Sequence, residues 1–253
     1  MIRRAGRVLP RGWGDFGLQL AIWLGFVAVY QVARGLADRG AAEAMENGRI
    51  VLDLQRNLHT LVEPDLQRVV LQAPDFFIDA LNWSYWLSQF VVVSLALLWI
   101  YLFRNEAFAR VRNWVLAANL IGLIGYILVP TAPPRMFPEE GFVDTLASSA
   151  GLNHGSGLIE LASNPYAAMP SLHGADALII GFALASLVTS RWLKVVWTLW
   201  PTWVWLAVMA TGNHFWLDIA AGVGTAGLAA TVLAWHESRR DEVAPAVSSS
   251  HRC

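Results

Sequence analysis

Asn164-Pro-Tyr-Ala-Ala-Met-Pro-Ser-Leu-His-Gly-Ala-Asp176 leads directly into a long apolar run. Ser171, His173 and Asp176 therefore stand where a membrane span begins. Pro170 and Ser171 explain themselves as a helix start, since proline suits the first turn and a serine side chain caps it. His173 and Asp176 need another reason. Ionisable groups within a span are expensive and default to a functional hypothesis.

The rest of the chain makes the membrane setting plain. Its 253 residues are 56% hydrophobic and 15% charged, with 13 Trp and a mean hydropathy of +0.45. Soluble domains carry about 25% charged residues. The net charge of −1 gives no basic field and excludes a nucleic-acid partner. The single cysteine, Cys253, allows no internal disulfide, and neither a CxxC zinc pattern nor a C-a-a-X ending is present. No metal or cofactor is expected. All basic residues but Lys194 are arginine, a bias of GC-rich bacterial genomes. The apolar run after Arg3, Arg4, Arg7 and Arg11 is long enough to span and has no small-residue cleavage site, so it reads as a retained anchor.

Six spans are expected, at roughly 16–33, 80–103, 113–130, 171–190, 195–212 and 215–235, the fifth bent near Pro201. The expected fold is an all-α polytopic membrane bundle in one domain, 1–240, followed by a disordered tail, 241–253. Arginines in short loops set its direction. The N-terminus, the loop with Arg104, Arg110 and Arg112, the loop with Arg191 and Lys194, and the tail with Arg239 and Arg240 share one side. That side reads as cytoplasmic, with both termini on it, in a bacterial plasma membrane. The opposite side holds Arg135 against Glu139, Glu140, Asp144 and Glu160. Segment 38–75 reads as two amphipathic helices on the outer interface, with Ile50, Val51, Leu54, Leu58 and Leu61 at helical spacing and Leu66, Val69 and Val70 after Pro64. They cover the bundle or admit lipid. His59 sits on their polar side.

His173 and His214 are 41 residues apart, the length of two spans, so the chain descends and returns to the same outer face. Arg135, just after the third span, joins them. Three distant clusters thus converge: Pro133-Pro-Arg135, Pro170-Ser-Leu-His173 and His214-Phe-Trp-Leu-Asp218. Taken singly, each has a structural explanation: an interfacial charge, a helix cap and an i,i+4 pair. Together they suit a phosphate ester. Arg135 can grip phosphate oxygens bidentately. The helix start at Ser171 offers N–H groups, a dipole and a hydroxyl to an anion. His214 can attack phosphorus and form a phosphohistidine, with Asp218 accepting its other N–H. His173 can protonate the leaving oxygen and then activate water or an alcohol. Asp176 steers His173, binds a sugar hydroxyl or packs the helix.

Pro170-Ser-Leu-His173, together with His214-x-x-x-Asp218 followed by Ala221-Gly222, resembles the type 2 phosphatidic acid phosphatase superfamily, which also includes vanadium haloperoxidases. Ala168-Met-Pro-Ser-Leu-His173 and Thr211-Gly-Asn-His-Phe-Trp-Leu-Asp218 look most like its inositol phosphorylceramide synthase-type branch, the inositolphosphotransferases. The match is anchored in 130–222. Two departures stand out. The superfamily's first motif has a Lys where Leu128 stands, seven residues before Arg135, and an Arg-Pro where this chain has Arg135-Met136. Its third motif has Ser-Arg where this chain has Ala207-Val208. Asn213, Arg49, Arg56 and Arg68 are candidates to make good the missing charge.

The resemblance implies a membrane enzyme acting on a lipid phosphate, with its site at the extracytoplasmic face. A lipid or sugar hydroxyl as acceptor makes it a phosphotransferase, and water alone makes it a phosphatase. A non-catalytic lipid transporter on the same fold is the alternative from another class. An intramembrane protease is disfavoured, because Asp144 stands where the Arg after Glu139-Glu140 should be. The Asp-Gly-x-x-Ala-Arg motif of CDP-alcohol phosphotransferases is absent.

Overall fold

The computed structural model describes residues 9–36, 40–147 and 165–249. Asn164, Glu160, the arginines at 3, 4 and 7, and the last residues, 250–253, lie outside them. The described chain is all-helical. Among the described residues the only β contact given is an isolated parallel bridge between Thr131 and Ala167.

Among the described residues nine α-helices follow in order: α1 Gly12–Leu36, α2 Ala41–Asn57, α3 Glu63–Leu71, α4 Asp75–Leu87, α5 Val93–Phe103, α6 Asn105–Leu128, α7 Leu172–Leu187, α8 Arg191–Ala210 and α9 Trp216–Ser249. A π-helical turn, Ser88–Val92, joins α4 to α5, so the two form one continuous rod. Five segments are long and apolar enough to cross a membrane: Gly12–Arg34, Asp75–Phe103, Asn105–Leu128, Arg191–Ala210 and Trp216–Arg240. The segment expected as the fourth span is shorter, a helix of 16 residues and about 24 Å. It is the central helix. It packs on α5, α6, α8 and α9, and 11 of its residues are buried.

Several boundaries differ from the expected ones. Hydropathy marks only the apolar middle of a helix, whereas backbone hydrogen bonds continue into polar flanks. The loop expected around Arg104, Arg110 and Arg112 reduces to Arg104. Asn105 already opens α6, with Glu106 in its first turn where the dipole favours a carboxylate. At the other end, α9 runs on through 241–249, where a disordered tail was expected. Asp241-Glu-Val-Ala continues a helix already established, and extending a helix costs less than nucleating one.

The helices expected in 38–75 form as α2 and α3, but only part of the apolar stripe turns inward: Val51 and Val70 are buried. α2 buries Ala44, Gly48, Val51, Leu52 and Gln55 against the cluster of Ala132, Phe137, Phe142 and Phe215. Ile50, Leu54 and Leu58 face outward and are about half exposed. The small residues win the inner face because the approach is tight. A Cβ on Gly48 would stand 2.7 Å from the Phe137 ring and 2.8 Å from the Ala132 carbonyl.

The closest helix approach brings α9 onto the start of α7. A Cβ on Gly222 would lie 2.2 Å from the Ser171 carbonyl oxygen. Gly122 and Gly125 of α6 similarly admit Leu172 and Pro170. Ser171 N–H donates to the Asp218 carbonyl at 2.8 Å, so the two chain segments share a backbone hydrogen bond.

Candidate active site

The three sequence clusters do meet. Ser171 is the N-cap of α7, and its Oγ accepts from the Gly174 N–H at 3.2 Å. His173 follows in the first turn. Its ring stacks on Tyr85 of α4, centroids 4.4 Å apart and planes 21° from parallel. His214 lies in the turn before α9, and its ring centroid is 5.6 Å from that of His173. Both histidines are buried, and Ser171 and Asp218 are wholly so.

His214 is held differently from the expected triad. Its Nδ1 lies 2.9 Å from the Ala168 carbonyl and 3.5 Å from Asp218 Oδ2. The main partner of that nitrogen is therefore a backbone carbonyl. Asp218 Oδ2 is engaged by the Phe215 N–H at 2.8 Å, as a helix cap. Either acceptor favours a proton on Nδ1 and leaves Nε2 as the ring's lone-pair nitrogen. Ala168 reaches His214 because its segment is stitched to the loop after α6. Thr131 N–H donates to the Tyr166 carbonyl and Ala168 N–H to the Thr131 carbonyl.

Arg135 lies on a short 3-10 turn, Pro134–Met136, and its own N–H donates to the Gly212 carbonyl at 2.8 Å. Its guanidinium donates to Asn213 Oδ1 at 2.6 Å and stands 3.7 Å from Asp144 Oδ2. Burial pulls its pKa down, with Asp144 opposing the shift. Asn213 in turn donates to Thr211 Oγ1 at 2.8 Å. Asn213 thus ties Arg135 to the turn that carries His214.

Asp176, the least legible residue of the opening stretch, sits one turn below His173 and is buried. Its carboxylate accepts from Asn119 of α6 at 2.9 Å and from Gln89 in the π-helical turn. The extra residue of that turn carries Gln89 inward, and such turns recur at functional sites. Asp176 therefore joins α7 to α6 and to the α4–α5 rod.

The other candidates do not join the site. Arg56 pairs with Asp53 and Glu140, Arg68 pairs with Asp65, and Arg49 lies over the Phe137 ring. His59 is exposed, with a positive φ of 56°. Sequence reasoning missed Glu63, a fully buried carboxylate of α3. It accepts from the Trp216 N–H at 2.6 Å and from Gln55 at 2.9 Å. Burial raises its pKa, against the pull of those two donors. Sequence reasoning also missed Tyr85 and Arg34. Arg34 had a readable signal: it is an arginine at the end of an apolar run, just past the expected span end at 33.

Residues 49–232 match the family model described as the PAP2 superfamily. The chain belongs to the PAP2 superfamily. A curated relative, phosphoinositol dihydroceramide synthase of Bacteroides thetaiotaomicron, is 27% identical over 135 residues. That match covers 48% of this chain and 44% of the relative, so the chain spans less than half the length of the relative it matches. Among solved structures, the crystal structure of Aquifex aeolicus LpxE aligns with a TM-score of 0.47 and 17% identity, over 66% of this chain and 92% of that one. The PAP2 match contains all of the candidate site residues, from Arg135 to Asp218.

Proposed function

We propose that this PAP2 protein is an integral-membrane enzyme that transfers a phosphoryl or phospho-alcohol group from a lipid phosphate ester, in the manner of an inositolphosphotransferase. The observation that carries the reading is the facing pair of buried histidines, with His214 Nδ1 held by the Ala168 carbonyl and Nε2 left for phosphorus.

In the first step Nε2 of His214 attacks phosphorus in line with the leaving oxygen. The P–N bond forms, the P–O bond breaks, and the leaving alkoxide takes its proton from His173. In the second step neutral His173 takes the proton of the acceptor hydroxyl. The acceptor oxygen attacks phosphorus, and the P–N electron pair returns to His214. Arg135 and the first turn of α7, with Ser171, hold the phosphate oxygens. Asp218 supports the charge that develops on His214 from 3.5 Å. Asn213 fixes Arg135, and Asp176 anchors the helix that carries His173.

The fold is read as six spans, with α7 as the short fourth one. Both termini lie in the cytoplasm, and the site faces the outer side of a bacterial plasma membrane. α2 and α3 lie on that interface, their outward Ile50, Leu54 and Leu58 meeting lipid. The relative's name joins phosphoinositol to a dihydroceramide, which favours an alcohol acceptor over water alone.

The test is a panel of lipid phosphates with and without an alcohol acceptor, followed by mass spectrometry. A head group transferred to the acceptor supports the phosphotransferase. Free phosphate alone supports the phosphatase. Bound lipid without product would favour a transporter and overturn the enzymatic reading.

A further inference from the structure

A phosphate ester brings one or two negative charges, and Arg135 meets it already engaged with Asn213 and close to the Asp144 carboxylate. One shared guanidinium is a thin counter-charge for a buried anion, since burying charge requires close pairing. A second cation lies near the start of α7. Arg34, in the last turn of α1, lies over the Tyr126 ring of α6 at 5.9 Å from its centroid. Tyr126 is buried, and its hydroxyl interacts with the Leu172 backbone at the opening of α7. Arg34 is therefore seated beside the helix start that carries Ser171 and His173. Its charge is felt at His173 and at Arg135, and Tyr85, the ring under His173, lies near both arginines. Tyr30, Tyr85 and Tyr126 lie around it.

We propose that Arg34 of α1 is the second phosphate-binding cation of the site, beside Arg135. This rests on the function proposed above and adds α1, which packs on α6 and hydrogen-bonds α5 through Asp15 and Trp23, to the binding site. Arg49 and Arg56 lie instead on α2, and Arg68 on α3.

The assignment is tested on the full-length protein in lipid nanodiscs by arginine modification with phenylglyoxal, with adducts located by mass spectrometry. Inorganic phosphate should protect Arg34 and Arg135 and leave exposed Arg68 reactive. Protection of Arg135, with Arg34 protected neither by inorganic phosphate nor by a short-chain phosphatidic acid, would overturn the assignment while sparing the functional reading. Protection of neither, in protein that also turns over no lipid phosphate, would overturn both. A short-chain phosphatidic acid forms a second arm. Protection of Arg34 by that lipid but not by inorganic phosphate would support a site that reads phosphate only on a lipid, and protection by both a site that reads phosphate itself. In parallel, Arg34→Gln should weaken phosphate binding about 10- to 100-fold, and Arg34→Lys, which keeps a point charge, by less. An Arg34→Gln variant that unfolds like the wild type and binds phosphate with unchanged affinity would also overturn it.

Discussion

α7 and α9 both begin at the candidate site, yet the two helix starts are furnished differently. The first turn of α7 meets neutral partners: the Ser171 hydroxyl takes the Gly174 N–H, and the Tyr126 hydroxyl meets the Leu172 backbone. The start of α9 meets two carboxylates. Asp218 takes the Phe215 N–H, and Glu63, from α3, takes the Trp216 N–H. A helix start carries about half a positive charge. At α9 that charge is answered from within the protein, and at α7 it remains available to an incoming anion. The sequence suggested one phosphate seat shared by the three clusters. Under the proposed function the seat falls to α7, and α9 becomes the mount for His214.

Replacing the mounted group should have the largest effect. His214→Ala is expected to lower turnover about 10⁴-fold and abolish phosphohistidine trapping. A labelled intermediate persisting in that variant would remove the nucleophile and break the division of labour. Ser171→Ala acts on the seat. It should weaken competitive inhibition by phosphate or vanadate about 10-fold, at a stability cost of about 1 kcal/mol for the lost cap. Equal inhibition with reduced stability would make Ser171 a cap only.

Glu63→Ala acts on the mount. It leaves the Trp216 N–H and the Gln55 amide buried without their acceptor, and should cost about 1–3 kcal/mol in thermal or denaturant unfolding. Phosphate affinity should stay within about 3-fold. Glu63→Gln is expected to be milder. The Gln55 Oε1, which has no partner, can turn toward the new amide. The pH dependence has a definite sign. Because burial raises the folded pKa of Glu63 above its ordinary 4.5, its contribution is fully present below that value and is lost as pH rises through the raised one. Glu63→Gln should flatten that fall in unfolding free energy with rising pH, and an unchanged slope would refute the role. The smallest effect is expected from Arg56→Gln, which breaks exposed pairs with Asp53 and Glu140 and should change stability by at most about 1 kcal/mol.

What could be read from the sequence follows the range of the interactions involved. The Ser171 cap is local, and its partner is three residues on. The return of His214 to the face of His173 follows from counting residues per span. Contacts set by packing leave no such trace. Glu63 meets Trp216 across 153 positions, and Asn119 meets Asp176 across 57. The Ala168 carbonyl that holds His214 is a backbone group and has no residue signature, although it lay inside the stretch first singled out. The outward stripe of α2 was visible as a periodicity. Which of its faces turned inward was decided by Gly48 and Ala44 fitting under Phe137 and Ala132.

The meeting of Gly222 with Ser171 limits what variation the site can accept. A single added carbon would have to occupy space held by the Ser171 carbonyl oxygen, at 2.2 Å. Relief would come only by parting α9 from α7, and that would separate the two histidines. Gly224 and Gly227, two and five residues further along the same helix, have nothing within 4 Å. A library randomised at all three positions and selected for activity should return glycine at 222 and a broad range of residues at 224 and 227.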